Sequence, residues 1–333
     1  LFEKSYLEHE NLADATRYLA NELFKNDGLI IIDGDDLELK KLFVPYSKKE
    51  LLYQTSFKKV NETLSLLEQY NIQVNPREIN LFYIQDNLRE RIIFENGNYK
   101  INNTLLSFSE SEILTELNKN PENFSPNVIL RPLYQEVILP NLCYIGGGGE
   151  LAYWFELKSN FEANSIPFPI LLLRNSVLLA SKKQYEKLDK LGLNWKDIFL
   201  KQEELINKKT KEYSKFTIDF SEQKVFLKKQ FEDLYTIANQ TDKSFFGAVK
   251  AQEMKQIKGL ENLEKRLQKA EKRKHQEQLD QIKELQNSLF PNGSLQERKD
   301  NFSTFYSSHG SELITKLLEE LKPLEHEFTI IIL

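Results

Sequence analysis

The residues best suited to chemistry lie between positions 127 and 176, where four consecutive glycines, 146–149, precede a predicted helix that starts near Leu151. Glycines in that position let backbone N–H groups and the positive end of a helix approach an anion such as a phosphate. The run lacks the Lys and Ser/Thr of a P-loop, so a close-packed turn at a sheet edge explains it equally well. The candidate residues of this run are Gly146, Gly147, Gly148, Gly149 and Glu150.

Two arginines flank these glycines. Arg174 and Asn175 follow an apolar stretch, 167–173, that is typical of a β-strand. A permanently charged guanidinium with five donors suits a carboxylate or a phosphate, although an arginine can also satisfy buried carboxylates of its own protein. Arg131, with Gln135 four residues later, is a second candidate of this kind.

An acidic turn follows the apolar run GLIIID at 28–33. Such a run is typical of a central strand in a parallel sheet that is covered on both faces. Asp33 and Asp36 would then lie at the carboxyl end of that strand, where open α/β sheets bind their ligands. The alternative is a solvated acidic turn that caps the next helix.

Neither metal binding nor disulfide formation is expected. The four histidines have no metal-ligand spacing, and Cys143 is the one cysteine. We therefore expect no dedicated metal site, no reactive-thiol role for Cys143, and a reducing compartment, the cytoplasm by default.

The 333 residues predict about two domains. Hydrophobic residues make up 40% of the chain and charged residues 29%, and the mean hydropathy is -0.51, which is typical of a soluble protein. The longest apolar run, 166–179, is interrupted by Pro167, Pro169 and Arg174, and it is too short to span a bilayer. We expect no membrane partner. Because the chain starts at Leu1 without a signal-peptide pattern, we expect it to begin inside a longer protein.

Hydrophobic spacing and turn residues predict the remaining elements. Helices are expected at 11–24, within 48–70 and at 311–321. A further helix is expected to begin at Ser109, which forms a capping box with Glu112. A β-hairpin is expected around 95–98, and a last strand at 328–333 is expected to return to the core sheet. Between 193 and 289 the pattern indicates two long antiparallel helices, although Gly247 and Gly259 argue against an unbroken second helix.

The fold class is therefore α/β, a Rossmann-like parallel sheet that is incomplete in this chain, with a small α+β insertion and a long helical coiled-coil arm. The predicted segments are a core segment at 1–47, the α+β insertion at 48–126, a core segment with the glycine-rich loop at 127–181, the arm at 182–290 and the return to the core at 291–333. Net charge is -5, but the arm holds 24 Lys and Arg against 18 Asp and Glu.

Residues 131–158 read RPLYQEVILPNLCYIGGGGELAYWFELK, and residues 168–176 read FPILLLRNS. Both segments resemble the bacillithiol biosynthesis cysteine-adding enzyme family. The likeness extends to GLIIIDGDD at 28–36, LQER at 295–298 and FTIIIL at 328–333, so it covers essentially the whole chain in order.

The resemblance implies a Rossmann-like core with a connecting-peptide insertion and a coiled-coil arm that forms a homodimer. It also implies ligation of cysteine to glucosaminyl malate, the last step of bacillithiol biosynthesis, with ATP or ADP as the expected nucleotide. In such a reaction the glycine backbone would hold an anion, Arg131 and Arg174 a carboxylate or phosphate, and Asp33 or Asp36 an amine or a ribose hydroxyl. Gln135, Glu150 and Asn175 would be polar neighbours.

Family members also carry Gly-His-Gln and Glu-Asp-His-Asp motifs upstream of the region that matches Leu1, and this chain has neither motif. We therefore expect it to be a C-terminal part that lacks the catalytic residues and does not ligate by itself, and no catalytic residue is assigned.

Two other classes of function compete with the ligase. The first is a coiled-coil homodimerisation or scaffold module without catalysis of its own. The second is a tRNA-binding protein that uses the basic run 265–274, but Glu271 interrupts that run, Glu261, Glu264 and Glu277 flank it, and no aromatic residue lies within it. We therefore expect no nucleic-acid partner.

Overall fold

The computed structural model describes residues 1–333, which fold as two compact units. Unit 1 consists of Leu1–Asn175 and Lys322–His326, and unit 2 of Ser176–Leu321 and Glu327–Leu333. The chain therefore leaves unit 1 after Asn175, and a short segment near the C-terminus returns to it.

Unit 1 combines short helices with two separate sheets. Its helices are α1 Phe2–Leu7, α2 Leu12–Phe24, α3 Leu37–Tyr53, α4 Thr55–Leu64, α5 Glu110–Lys119, α6 Arg131–Ile138, α7 Gly148–Phe155 and α8 Lys158–Ala163, with a 3₁₀ turn at Pro121–Asn123. Its strands are β1 Leu81–Gln85, β2 Leu88–Glu95, β3 Asn98–Ile101, β4 Ser107–Phe108, β5 Phe124–Pro126, β6 Cys143–Gly146 and β7 Ile170–Leu173.

Local capping signals fix the starts of two of the predicted helices. Asn11 accepts the backbone N–H of Asp14 at 2.9 Å and begins α2, and Ser109 forms a complete capping box with Glu112 at the start of α5. Each cap satisfies backbone donors that have no partner within the helix. The predicted helices at 11–24 and from Ser109 are confirmed.

The largest sheet is antiparallel, with strand order β4-β3-β2-β1-β5. The predicted hairpin is its β2–β3 pair, and the turn is formed by Asn96 and Gly97, whose φ angles of 52° and 79° are both left-handed. An Asn-Gly turn matches the twist of the two strands, which is why it sets this register. This sheet packs on α3 and α5 around buried side chains that include Leu81, Ile92 and Ile113.

The predicted strand at 28–33 is wrong. Residues 29–33 have no regular secondary structure and belong to none of the sheets, and Ile30 is 83% exposed. A strand needs a neighbour that pairs with its N–H and C=O groups, and no segment of this chain lies beside it in that way. The apolar pattern predicted a buried strand but could not supply its partner.

Parallel pairing occurs in two separate places. In unit 1, β6 pairs with β7, which confirms the predicted strand that leads to Leu173. In unit 2, the last strand, which was predicted to return to the core sheet, pairs with residues 176–180 within the predicted core segment 127–181, in a sheet separate from that of β6 and β7. The chain is thus a mixed α/β protein with small parallel sheets and a helical arm.

Unit 2 is mostly helical. Its helices are α9 Lys182–Lys190, α10 Trp195–Ile198, α11 Gln202–Tyr213, α12 Ser221–Ala238, α13 Lys243–Lys274, α14 Gln276–Leu289, α15 Ser303–His309 and α16 Ser311–Glu320, with 3₁₀ turns at Pro291–Gly293 and Gln296–Arg298. Its strands are β8 Ser176–Ala180 and β9 Phe328–Ile332. No helix of the structure has the length and apolar character that crossing a membrane requires.

The arm is an antiparallel hairpin of α12 and α13, tied by an ion pair of 2.6 Å between Lys224 and Glu264. Helix α13 runs unbroken through Gly247 and Gly259. The predicted two-helix arm over 193–289 is wrong in extent, because the chain breaks at His275 and α14 packs its apolar side chains into the core around β8. Periodicity alone did not separate a helix in a coiled coil from one on a core.

Candidate functional site

A polar cleft in unit 1, with a volume of about 360 Å³, brings together residues from distant parts of the sequence. It contains three of the predicted site residues, Asp33, Arg131 and Gln135. The other side chains and backbone that line it belong to Ile32, Gly34, Asp35, Lys40, Arg89, Ser125, Pro126, Tyr134, Ile138 and Leu139.

Helix α6 supplies one wall of the cleft. Asn127 fixes its start, because its Oδ1 accepts the backbone N–H of Ile129 at 2.9 Å and its carbonyl accepts that of Arg131 at 2.8 Å. Arg131 and Gln135 are four residues apart and therefore share one face of the helix. Their side chains are 3.5 Å apart, and no carboxylate lies within 4 Å of the Arg131 guanidinium.

Two further cations lie in the cleft, and sequence reasoning missed both. Arg89 comes from β2 and stacks 3.9 Å over the ring of Phe82 without a carboxylate partner. Lys40 comes from α3, and its side chain is 4% exposed. Neither residue has a local motif, because only the packing of α3 and β2 against the same cleft brings them beside Arg131.

The acidic turn at 33–36 has three different side-chain environments. Asp33 accepts the backbone N–H of Asp35 at 2.9 Å and forms a 3.2 Å ion pair with Arg17. The carboxylate of Asp36 accepts hydrogen bonds from the backbone N–H groups of Glu38 and Leu39 and so caps α3. For Asp36 the structure therefore agrees with the alternative that the acidic turn caps the next helix. Asp35 forms a 3.0 Å ion pair with Lys40.

Tyr134 joins the acidic turn to α6. Its hydroxyl donates a 2.8 Å hydrogen bond to the carbonyl of Gly34, and its ring is buried. Burial raises the pKa of Tyr134 to about 12, and the nearby carboxylates of Asp35, Asp36 and Asp33 act in the same direction. Tyr134 therefore stays a neutral donor to the turn at physiological pH.

The glycine-rich run lies outside this cleft. Gly147 is the N-cap of α7, and its backbone N–H donates to the carboxylate of Glu150 at 2.7 Å. Gly148 borders an apolar groove of about 780 Å³. Burial raises the pKa of Tyr153, which Glu150 raises further and Arg131 lowers, so both charges lie near one hydroxyl. Anion binding by the glycine run stays a prediction.

Close packing around Gly146 leaves no room for a side chain at this position. A Cβ there would lie 2.7 Å from Tyr144 Cε1 and 3.1 Å from Leu151 Cδ2, and Tyr144 is held by a ring stack on Trp154 at 4.1 Å. We expect Gly146→Ala to lower the free energy of unfolding by about 1–3 kcal/mol in urea titrations. Gly148→Ala is the control, because no atom lies within 4 Å of its Cβ position. Equal stability of the two variants would contradict this packing.

Arg174 and Asn175 lie at the carboxyl end of β7, as predicted, but not in the cleft. The backbone N–H of Arg174 donates to the carbonyl of Gly146 at 2.9 Å. The side-chain amide of Asn175 donates to the carbonyl of Lys322 at 3.1 Å and so holds the returning C-terminal segment. Ligand binding by these two residues stays a prediction.

No group of three or more His, Cys, Asp and Glu side chains is placed to hold a metal ion. Cys143 is a half-buried free thiol on β6. The site chemistry therefore rests on guanidinium, ammonium, carboxylate and phenol groups.

Family models match both units. Residues 1–175 match the N-terminal Rossmann-like domain of bacillithiol biosynthesis BshC, and residues 177–333 match its C-terminal coiled-coil domain. The chain belongs to the BshC family. The boundary between the two BshC domains falls where the structure passes from unit 1 to unit 2.

Three BshC relatives, each named "Putative cysteine ligase BshC", illustrate the likeness. The proteins of Flavobacterium johnsoniae, Flavobacterium psychrophilum and Christiangramia forsetii are 63%, 65% and 58% identical, each over 99% of this chain. The chain spans 63%, 62% and 62% of the length of these three relatives.

Proposed function

We propose that this chain takes part in the ligation of cysteine to glucosaminyl malate, the final step of bacillithiol biosynthesis, in the cytoplasm. Membership of the BshC family, whose relatives carry cysteine ligase names, supports this proposal. Such a ligation joins a carboxylate to an amine, so the protein must hold several charged groups at once.

The observation that carries the proposal is the polar cleft. Arg131 and Arg89 face it without carboxylate partners, so their guanidinium groups are free to bind a carboxylate or a phosphate of a ligand. Asp33 and Gln135 add an acceptor and an amide beside them. The donor set is suited to the phosphate chain of a nucleotide, and ATP or ADP is the co-substrate that we propose.

Nucleotide binding tests this assignment. We expect calorimetric titration of the whole chain with ATP and ADP to show binding, and Arg131→Ala to weaken it at least about tenfold, because a charge-assisted hydrogen bond contributes about 1.5–3 kcal/mol. Arg77→Ala removes the same charge from an exposed arginine that does not line the cleft, and it is the matched control. Unchanged affinity in Arg131→Ala would remove this residue from the site.

A second function, self-association through the arm, is favoured by a separate observation. Apolar side chains of α12 and α13 are exposed on the hairpin, among them Val225, Phe226, Ile237, Met254 and Leu263. Exposed apolar surface of this kind marks interaction sites, so we propose a homodimer formed through the coiled coil. A chain that sediments as a dimer but binds no nucleotide would favour the scaffold alternative.

A further inference from the structure

The ammonium of Lys40 is a buried charge at the wall of the cleft. Its Nζ lies 3.2 Å from the carbonyl oxygen of Phe124 and 3.4 Å from that of Glu122. These carbonyl groups are dipoles without net charge. The one carboxylate near Nζ is that of Asp35, at 3.0 Å. A buried charge needs a counter-charge, and Asp35 supplies it.

Asp35 is a weakly held counter-charge. Its side chain is 80% exposed, and ion pairs with an exposed partner contribute little to stability. The turn that carries it has other anchors, because Asp33 Oδ1 accepts the backbone N–H of Asp35 and Tyr134 donates to the carbonyl of Gly34. The Asp35 carboxylate can therefore leave Lys40 while the backbone of the turn stays in place.

The charges of the cleft do not balance. Asp33 is paired with Arg17, and Asp35 is paired with Lys40. Arg17 is shared with Asp14, and three cations, Lys40, Arg89 and Arg131, line the cleft against two carboxylates, so its net charge is +1 and becomes +2 once the Asp35 carboxylate leaves. A ligand group with about two negative charges, a phosphate or a pair of carboxylates, complements that surplus.

We propose that Lys40, Arg89 and Arg131 bind a dianionic group in this cleft, and that the group displaces the Asp35 carboxylate from Lys40. Asp35 is then an internal competitor that neutralises the buried ammonium in the absence of ligand. This inference deepens the proposed function, since it assigns the charged part of a ligand to named residues, but it concerns binding and does not depend on turnover.

Calorimetric titration of the whole chain with inorganic phosphate, and separately with malate, tests this site. We expect Asp35→Asn to tighten binding of the dianion about tenfold, because the amide keeps the side-chain shape and removes the competing charge. Glu38→Gln is the matched control, since it removes an equally exposed carboxylate on the first turn of α3 that contacts Lys41 instead. Acetate, with one charge, should bind more weakly than either dianion.

The Arg89→Ala variant tests the same site in the opposite direction, and we expect it to weaken the dianion at least about tenfold while thermal melting shows that the chain is folded. Binding of phosphate alone or of malate alone supports the site and identifies its ligand class. Four results would overturn it: neither dianion binds, Asp35→Asn fails to tighten binding, Arg89→Ala binds the dianion as tightly as wild type, or Glu38→Gln tightens binding as much as Asp35→Asn. A failed nucleotide titration would contradict the proposed function and leave these outcomes unchanged.

Discussion

Replacing Glu50 with alanine is expected to lower the free energy of unfolding of unit 1 by about 3–5 kcal/mol. Glu50 lies on α3 and is 2% exposed. Its carboxylate accepts four hydrogen bonds, from the backbone N–H and hydroxyl of Ser56 and from the backbone and side-chain N–H groups of Asn80. Removal of the carboxylate leaves the two donors of Ser56 and the backbone N–H of Asn80 buried without this acceptor, and each such donor is costly, whereas the Asn80 side-chain amide keeps Ser56 Oγ and the Arg77 carbonyl.

The effect of this substitution should reach the cleft. Asn80 is itself fully buried, and its backbone and side-chain oxygens accept hydrogen bonds of 3.0 and 2.9 Å from Asn127. Asn127 fixes the start of α6 and hence the position of Arg131. Glu50 therefore stabilises the helix that carries the candidate ligand-binding residues, although it lies outside the cleft.

Urea unfolding followed by tryptophan fluorescence measures the loss of stability. The chain has two tryptophans, so a Trp195→Phe background leaves buried Trp154 as the reporter of unit 1. Glu62→Ala is the control, because its carboxylate is 56% exposed and pairs only with Lys59 of the same helix. A loss no larger than that of Glu62→Ala would show that the buried hydrogen bonds of Glu50 do not stabilise the fold.

Replacing Tyr134 with phenylalanine is expected to lower the stability of the chain below about pH 9 and to raise it near pH 12. The folded-state pKa of Tyr134 is raised from 10.0 to about 12. Above about pH 10 the unfolded chain loses the phenolic proton while the folded chain keeps it, so stability falls as pH rises through this window. A shift of about two pH units corresponds to about 3 kcal/mol.

Below about pH 9, we expect wild type to be more stable than Tyr134→Phe by about 1 kcal/mol, because the hydroxyl donates to Gly34. Near pH 12, where the folded phenol is half ionised, wild type has lost about 2 kcal/mol by this linkage, so the phenylalanine variant should be more stable by about 1 kcal/mol. Urea titrations at several pH values check this reversal by comparing the two chains directly. Tyr53→Phe, at a ring that is 61% exposed, is the control. A constant difference across the window would contradict the role of burial at Tyr134.

Several features of the fold follow from short stretches of sequence. The helix at 11–24, the Ser109 cap and the Asn96-Gly97 hairpin were predicted, because each depends on residues within a few positions of one another. The order of the glycine run and β7 along the chain was also predicted, since an apolar run between prolines and Arg174 is typical of a β-strand.

Other features depend on partners that are distant in sequence. The run at 28–33 has the composition of a buried strand, yet no neighbouring strand pairs with it. The apolar residues of α14 continue the spacing of the arm, but they face the core around β8. In both cases the hydrophobic pattern of the sequence showed which side chains are apolar, but only the packing of the folded chain determined which residues cover them.

The sequence by itself determined the family, the order of the main elements and some of the cleft residues, because these depend on local motifs and on which residue types stand where. Only the tertiary structure brought Lys40 and Arg89 beside Arg131 and paired Lys40 with Asp35. The physical reason is that the sequence around a charged residue does not show which distant residue will pair with it. The burial of Lys40 and the balance of charge around it exist only after α3, β2 and α6 have packed together.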